Sequence, residues 1–315
     1  MKCSEWVIAT AGEVRRDADD PEGHARVTLR HLVVRHVTAY RYSEPVAFGE
    51  HRMMFRPRES HDLRLIKTAL AISPEPASLT WLHDIFDNSV AIARFDGTAA
   101  ELRFDSTVSI EHLEVSLPDY ALEARARNYP FTYSDDEWSN LGEALRRRHP
   151  GAEVDTWIRQ FLAPGGIAGT MDLLRRVTAS IKQQFTYERR TEKGVRTPRE
   201  TLSCGRGSCR DFALLMMEGV RSLGLAARFV SGYIFVPDVR TVGGGATHAW
   251  MQVYLPGAGW VDFDPTNSIV GNRNLIRVAV AWDPAHALPL WGSFTGFRSS
   301  FRGMDVSVSV TETIR

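Results

Sequence analysis

The sequence predicts an α+β fold: an N-terminal antiparallel β-sandwich domain, then helices packed on a second antiparallel sheet. Three observations carry this. From Leu29 to about Val115 the chain is made of short runs that alternate apolar and polar residues, the period of half-buried strands. From Asp119 to about Gln184 the apolar spacing becomes helical. From Thr197 onward two capped helices are followed by strands, the reverse of the strand-to-helix order in a dinucleotide-binding unit.

Each element has a local reason. "LVVRHVTAYRY" is rich in β-branched and aromatic residues, "LRLIKTALAIS", "SVAIARF" and "AELRFDSTVSIEHLEV" alternate apolar and polar residues, and Pro57, Pro74, Pro76 and "FDG" at Phe95 to Gly97 punctuate them. Pro118 marks the change to "EWSNLGEALRRRH", "VDTWIRQFLA" and "TMDLLRRVTASIKQQF", with Gly165, Gly166 and Gly169 separating the last two. Thr197, Pro198 and Glu200 fit N-cap, N1 and N3 of a short helix ending near Cys204. Gly205 and Gly207 permit a tight turn, Ser208 caps the next helix with Asp211 at N3, and Gly224 ends it. The strands "AARFVSGYIF", "HAWMQVYL" and "GWVDFD" follow. The expected organisation is a poorly ordered polar extension over 1–28, the β domain over 29–117, and a helical linker and core with C-terminal strands over 118–315.

The bulk properties exclude several classes. The 315 residues carry 38 Lys and Arg against 38 Asp and Glu, so nothing marks nucleic acid as a partner. No apolar run is long enough to span a membrane, and the N-terminus lacks the pattern of a secretory signal; the expected location is cytoplasmic. Three cysteines, Cys3, Cys204 and Cys209, make no disulfide framework and no structural zinc site. His24, His31, His36, His51 and His61 stand at no metal spacing.

The informative stretch is "GRGSCRDFALLMMEGVRSLG", Gly205 to Gly224. With Ser208 as N-cap, Cys209 is the first helical residue, where unpaired N–H groups and the helix dipole favour a thiolate. A thiolate suits acyl transfer if a base and a group that orients the base accompany it. His248 opens "HAWMQVYL" after a glycine run that reads as a mobile loop, and the "PGAG" turn folds "WVDFDPT" back beside it. Asp262 and Asp264 lie on the same face of that returning strand, so either could orient His248. Tyr187, or Gln184 just before it, could complete an oxyanion hole with the Cys209 N–H. Cys204 reads as non-catalytic, Asp211 as a helix cap and Trp250 as core or cleft wall.

The segments "GSCRDFA", "ARFVSGY" and "THAWMQVYLPGAGWVDFDPTN" resemble the transglutaminase-like superfamily, which is papain-like in chemistry. "VRHVTAYRYSEPV", "FRPRE" and "DIFDNSV" resemble the β domain that precedes this core in bacterial members. The resemblance implies a transglutaminase-like core over the third region, with Cys209 as nucleophile, His248 as base and acid, and Asp264, which directly precedes Pro-Thr, as orienter. It weakens after Asn267, where "NLIRVAVAWDPAHALPLWGSF" replaces the usual Gly-Arg-Asp-Tyr segment and Asp283 alone matches its aspartate. The implied activity is cysteine-dependent acyl transfer on peptide or protein amides, with no metal or organic cofactor. Hydrolysis is favoured over amine transfer, and a non-catalytic binding module is the competing class.

Overall fold

The computed structural model describes residues 26–116, 120–190, 194–237 and 245–313. The 1–25 part of the expected extension, with Cys3, lies outside them, as do Gly243 and Gly244 of the glycine run. Arg26, Val27 and Thr28 already belong to the first strand.

The spine of the N-terminal sheet is β1 (Arg26–Met53). With β2 (Leu63–Ser73), β3 (Ser78–His83), β4 (Ser89–Arg94) and β5 (Thr98–Ser116) it forms a sheet of order β2-β5-β1-β4-β3. The register of β1 on β5 is regular from Arg26↔Ser116 to Arg41↔Glu101 and breaks before Val46↔Ala99. Pro45 falls in that break, as expected of a residue that cannot donate to the ladder. Beyond the break β1 meets β4, from His51↔Ala93 to Met53↔Ala91, so the long strand serves two pairings and the sheet curls.

The middle of the chain is helical: α1 (Asp135–Leu145), α2 (Ala152–Arg159) and α3 (Thr170–Gln184), with the two-residue strands β6 (Asn128–Tyr129) and β7 (Ala168–Gly169) pairing across it. Then come β8 (Thr186–Tyr187), α4 (Pro198–Cys204), β9 (Arg206–Gly207) and α5 (Cys209–Ser222). The core sheet follows: β10 (Ala227–Ile234), β11 (His248–Leu255), β12 (Gly259–Asp264), β13 (Ile269–Val270) and β14 (Leu275–Ala281), in the order β13-β12-β11-β10-β14.

Both faces of that sheet are covered. Phe229, Ala249, Met251, Val253, Val261 and Phe263 pack with Phe212, Met216 and Val220 of α5. On the other face, Tyr233, Ile276 and Val278 pack with Leu32, Val34, Val108 and Ile110 of the N-terminal sheet. The near-continuous apolar run "LIRVAVA" is the sequence of a strand buried on both sides. Fully buried Asn88 closes the seam: its Nδ2 donates to the Val280 carbonyl (2.8 Å) and its Oδ1 accepts from the Val280 N–H (2.8 Å). One side chain thus replaces a missing strand neighbour.

The last two strands, β15 (Leu290–Thr295) and β16 (Phe301–Glu312), return to the first sheet. β16 pairs with β1 from Leu32↔Glu312 to Tyr42↔Phe301, and β15 from Ala47↔Thr295 to Met53↔Leu290. The segment after the core is therefore part of the N-terminal sheet.

Candidate active site

The site begins at a turn that needs glycine. Gly205 ends α4 with φ +65°, a left-handed conformation open to glycine. A Cβ on Gly207 would meet Asp211 Cβ at 2.9 Å and Phe212 Cε1 at 3.1 Å. The chain can therefore turn from α4 into α5 within four residues. Parallel pairing of β9 with β8 places Tyr187 beside Gly207.

Ser208 is the N-cap and Cys209 the first residue of α5. Asp211 does more than cap. Fully buried, its carboxylate accepts from the Ser208 N–H (2.8 Å), the Ser208 hydroxyl (2.9 Å), the Arg196 N–H (2.7 Å) and Arg190 Nη1 (2.9 Å). Burial pushes this carboxyl up, and the donors around it bring it below the ordinary carboxylate range. Asp211 thus ties the chain before α4 to the start of α5. Arg190 and Arg196 carry no motif of their own, and periodicity could not have found them.

Cys209 is 7% exposed and His248 1%. His248 Nε2 is 2.9 Å from Asp264 Oδ2. Asp264, fully buried, also accepts from the Thr266 N–H (2.9 Å) and Asn267 Nδ2 (2.9 Å). These donors belong to the "DPTN" turn, so the aspartate is held by the residues that follow it. With Nε2 committed to Asp264, Nδ1 is the ring nitrogen left for Cys209. It is buried and makes no hydrogen bond of normal geometry among the described residues, while the Cys209 side chain lies close enough to favour the charged ring. Burial alone would lower the His248 pKa; the Asp264 carboxylate first, then Cys209, outweigh it and lift it to about 10. Burial likewise pushes Asp264 up, and His248, Asn267 and Thr266 bring it below its ordinary value.

The two aspartates left open by the sequence have different partners. Asp262 Oδ1 accepts from Trp250 Nε1 (2.6 Å) and Gln252 Nε2 (2.8 Å), and Oδ2 faces Arg277 Nη1 (3.2 Å). Asp264 is the one bonded to His248. Tyr187 comes to the site: burial first, then the nearness of Cys209 and Asp264, push its hydroxyl up to about 12. Gln184 is exposed at the end of α3. Cys204 is exposed at the end of α4, its Sγ 3.1 Å from the Arg206 carbonyl. Asp283 caps a single turn by accepting from the Ala285 N–H (2.8 Å). Among the described residues no three His, Cys, Asp or Glu side chains are grouped to hold a metal ion, and no helix is long and apolar enough to cross a membrane.

Comparison with known proteins places this geometry. Residues 32–111 match the bacterial transglutaminase-like N-terminal region, and residues 164–265 the transglutaminase-like superfamily. The uncharacterized protein Rv2569c of Mycobacterium tuberculosis is 29% identical over 299 residues, covering 88% of this chain and 91% of its own. The uncharacterized protein ML0607 of Mycobacterium leprae is 37% identical over 109 residues, 34% of this chain and 38% of its own. A candidate cysteine protease from Cytophaga hutchinsonii has the same fold, with a TM-score of 0.69 at 16% identity over 93% of this chain and 94% of its own.

Proposed function

The chain belongs to the transglutaminase-like superfamily, and from that membership and the site geometry we propose that it is a cysteine-dependent acyl-transfer enzyme that hydrolyses amide bonds of peptides or proteins. The observation that carries this reading is the buried His248, bonded to Asp264 through one ring nitrogen and turned toward Cys209 with the other.

Each residue then has one role. The Cys209 thiolate attacks the amide carbonyl carbon, forming a C–S bond and an oxyanion. The Cys209 N–H, unpaired at the helix start, and Tyr187 face that oxyanion. His248, carrying its proton at neutral pH, passes it from Nδ1 to the nitrogen of the leaving amine as the C–N bond breaks. A thioester remains. Neutral His248 then takes a proton from water as the water oxygen attacks the thioester carbonyl; the C–S bond breaks, the acid leaves, and the thiolate–imidazolium pair is restored. Asp264 holds the ring by its Nε2 throughout.

Water is assigned as acceptor because Cys209, though buried, is not wholly closed off from solvent, and water outnumbers any amine. The substrate is a peptide or protein, with no nucleic acid and no membrane. The cytoplasm suits the exposed Cys204 thiol, which an oxidising compartment would consume. The test is a peptide library incubated with and without a primary amine at a few millimolar, read by mass. Free acids should dominate in both arms and vanish in Cys209→Ala. Dominant amine adducts would replace hydrolysis with transglutamination, and a library left intact by the wild type would refute catalysis.

A further inference from the structure

A second bonded path reaches His248 from behind, and the mechanism above does not use it. Trp250, fully buried, stacks on the imidazole with ring centroids 5.9 Å apart and planes 25° from parallel. Its Nε1 donates to Asp262 Oδ1 at 2.6 Å. Asp262 Oδ2 meets Arg277 Nη1 (3.2 Å), and Arg277 Nη2 reaches Asp62 Oδ1 (2.7 Å) and Oδ2 (3.0 Å). Asp62 stands just before β2 and is held by Asn272 Nδ2 (3.0 Å) and Ser60. The path runs from the N-terminal sheet to the ring, and His248, Trp250, Asp262 and Asp62 are all buried.

We propose that Trp250 and Asp262 are positioning residues for His248, joined through Arg277 and Asp62 into a relay by which the N-terminal sheet fixes the plane of the imidazole and helps it keep its proton. This rests on the assignment of His248 as the acid and base above. The physical basis has two parts. A ring that swings out of plane loses either the Asp264 bond or the approach to Cys209, and stacking against a rigid indole prevents the swing. An indole whose N–H is pulled toward a carboxylate also presents a more negative face, which attracts a cation lying over it.

The groups acting on His248 from other sides are Asp264 on β12 and Cys209 on α5. Tyr187 on β8 lies near both, with Arg189 and Arg210 around it. None of these is part of the relay, so a change at Trp250 or Asp262 leaves them in place. Asp262→Asn keeps an oxygen for the indole N–H but removes the charge. Trp250→Phe keeps a stacked ring but removes the donor.

The experiment is the pH dependence of Cys209 alkylation by iodoacetamide, in the full chain with Cys3→Ser and Cys204→Ser so that one thiol remains. The upper limb of that profile reports loss of the imidazolium proton. Both Trp250→Phe and Asp262→Asn should move its midpoint to lower pH by about one unit, with the thermal midpoint recorded alongside. Should either variant fail to fold, Asp62→Asn breaks the same path farther from the ring and should move the midpoint in the same direction by less. Wild-type midpoints in the folded variants, or in Asp62→Asn where those do not fold, would overturn the relay. His248→Ala separates the two levels. If it leaves the parent profile unchanged, the Cys209–His248 pairing itself fails and the relay with it. If it abolishes the upper limb while the relay variants leave that limb in place, the relay alone is wrong.

Discussion

Asp262 and Asp264 stand two residues apart on one strand and carry separate bond systems. Asp264→Asn removes the charge beside His248 and should lower turnover by about a thousandfold or more with the fold intact, measured on whichever peptide the library yields. Asp262→Asn should cost about tenfold or less and act through pH. Strand periodicity left the two equal, and only the Pro-Thr that follows Asp264 tipped the resemblance toward it. A period of two puts both on one face but says nothing of the distance along β11 to His248. "DPTN" held the missing signal, because Asn267 and the Thr266 N–H close around Asp264 alone. Stability should report the same pair. The His248 pKa rises from 6.5 unfolded to about 10 folded. Its contribution is therefore fully present below pH 6.5 and lost as pH rises toward 10. Urea titrations of wild type and His248→Ala should diverge most below pH 6.5 and converge toward pH 10. A constant gap over that range would mean that the ring does not keep its proton.

At the level of elements, the helices and strands around the site were legible because local chemistry and tertiary need agree there. Thr197 with Glu200, and Ser208 with Asp211, form their capping boxes as the sequence reads. The strands His248–Leu255 and Gly259–Asp264 fall on the runs that period two marks. What caps cannot reveal is long-range traffic. Asp211 holds Arg190, whose side chain is 12% exposed, from 21 residues away. Asp211→Ala would take one acceptor from that guanidinium and strand two N–H groups, and should cost about 1–3 kcal/mol, readable in urea. A second element-scale test is Gly232→Ala on β10. A Cβ there would meet the Ile276 carbonyl oxygen at 2.1 Å and Trp250 Cη2 at 2.9 Å. The strand cannot yield without opening the β10–β14 ladder, so a loss of about 1–3 kcal/mol is expected. A wild-type urea midpoint would show that β14 gives way freely.

Over the whole molecule, β15 and β16 were the least predictable part. C-terminal strands were expected within 118–315 and grouped with the core, but nothing local says which sheet they join, since loop closure over such distances leaves no mark in a window of residues. By completing the first sheet they make it dependent on both halves of the chain. Arg277 with Asp62, and Asn88 with Val280, bind the same halves from inside. The protein should therefore unfold in one transition, with a single calorimetric peak, and residues 118–315 alone should fail to give that peak. Two separated peaks would mean that the seam is weak. The arrangement also sets a timetable. On the ribosome β1 appears early, yet Leu32 to Tyr42 finds its β16 partners only when residues 301–312 have emerged. Until then one edge of β1 is open. Gly245, three residues before His248, is tied to Val308 of that late strand. The backbone just ahead of the histidine is thus fastened only after residues 301–312 have emerged, so the candidate site is completed with the first sheet and not with the core sheet alone.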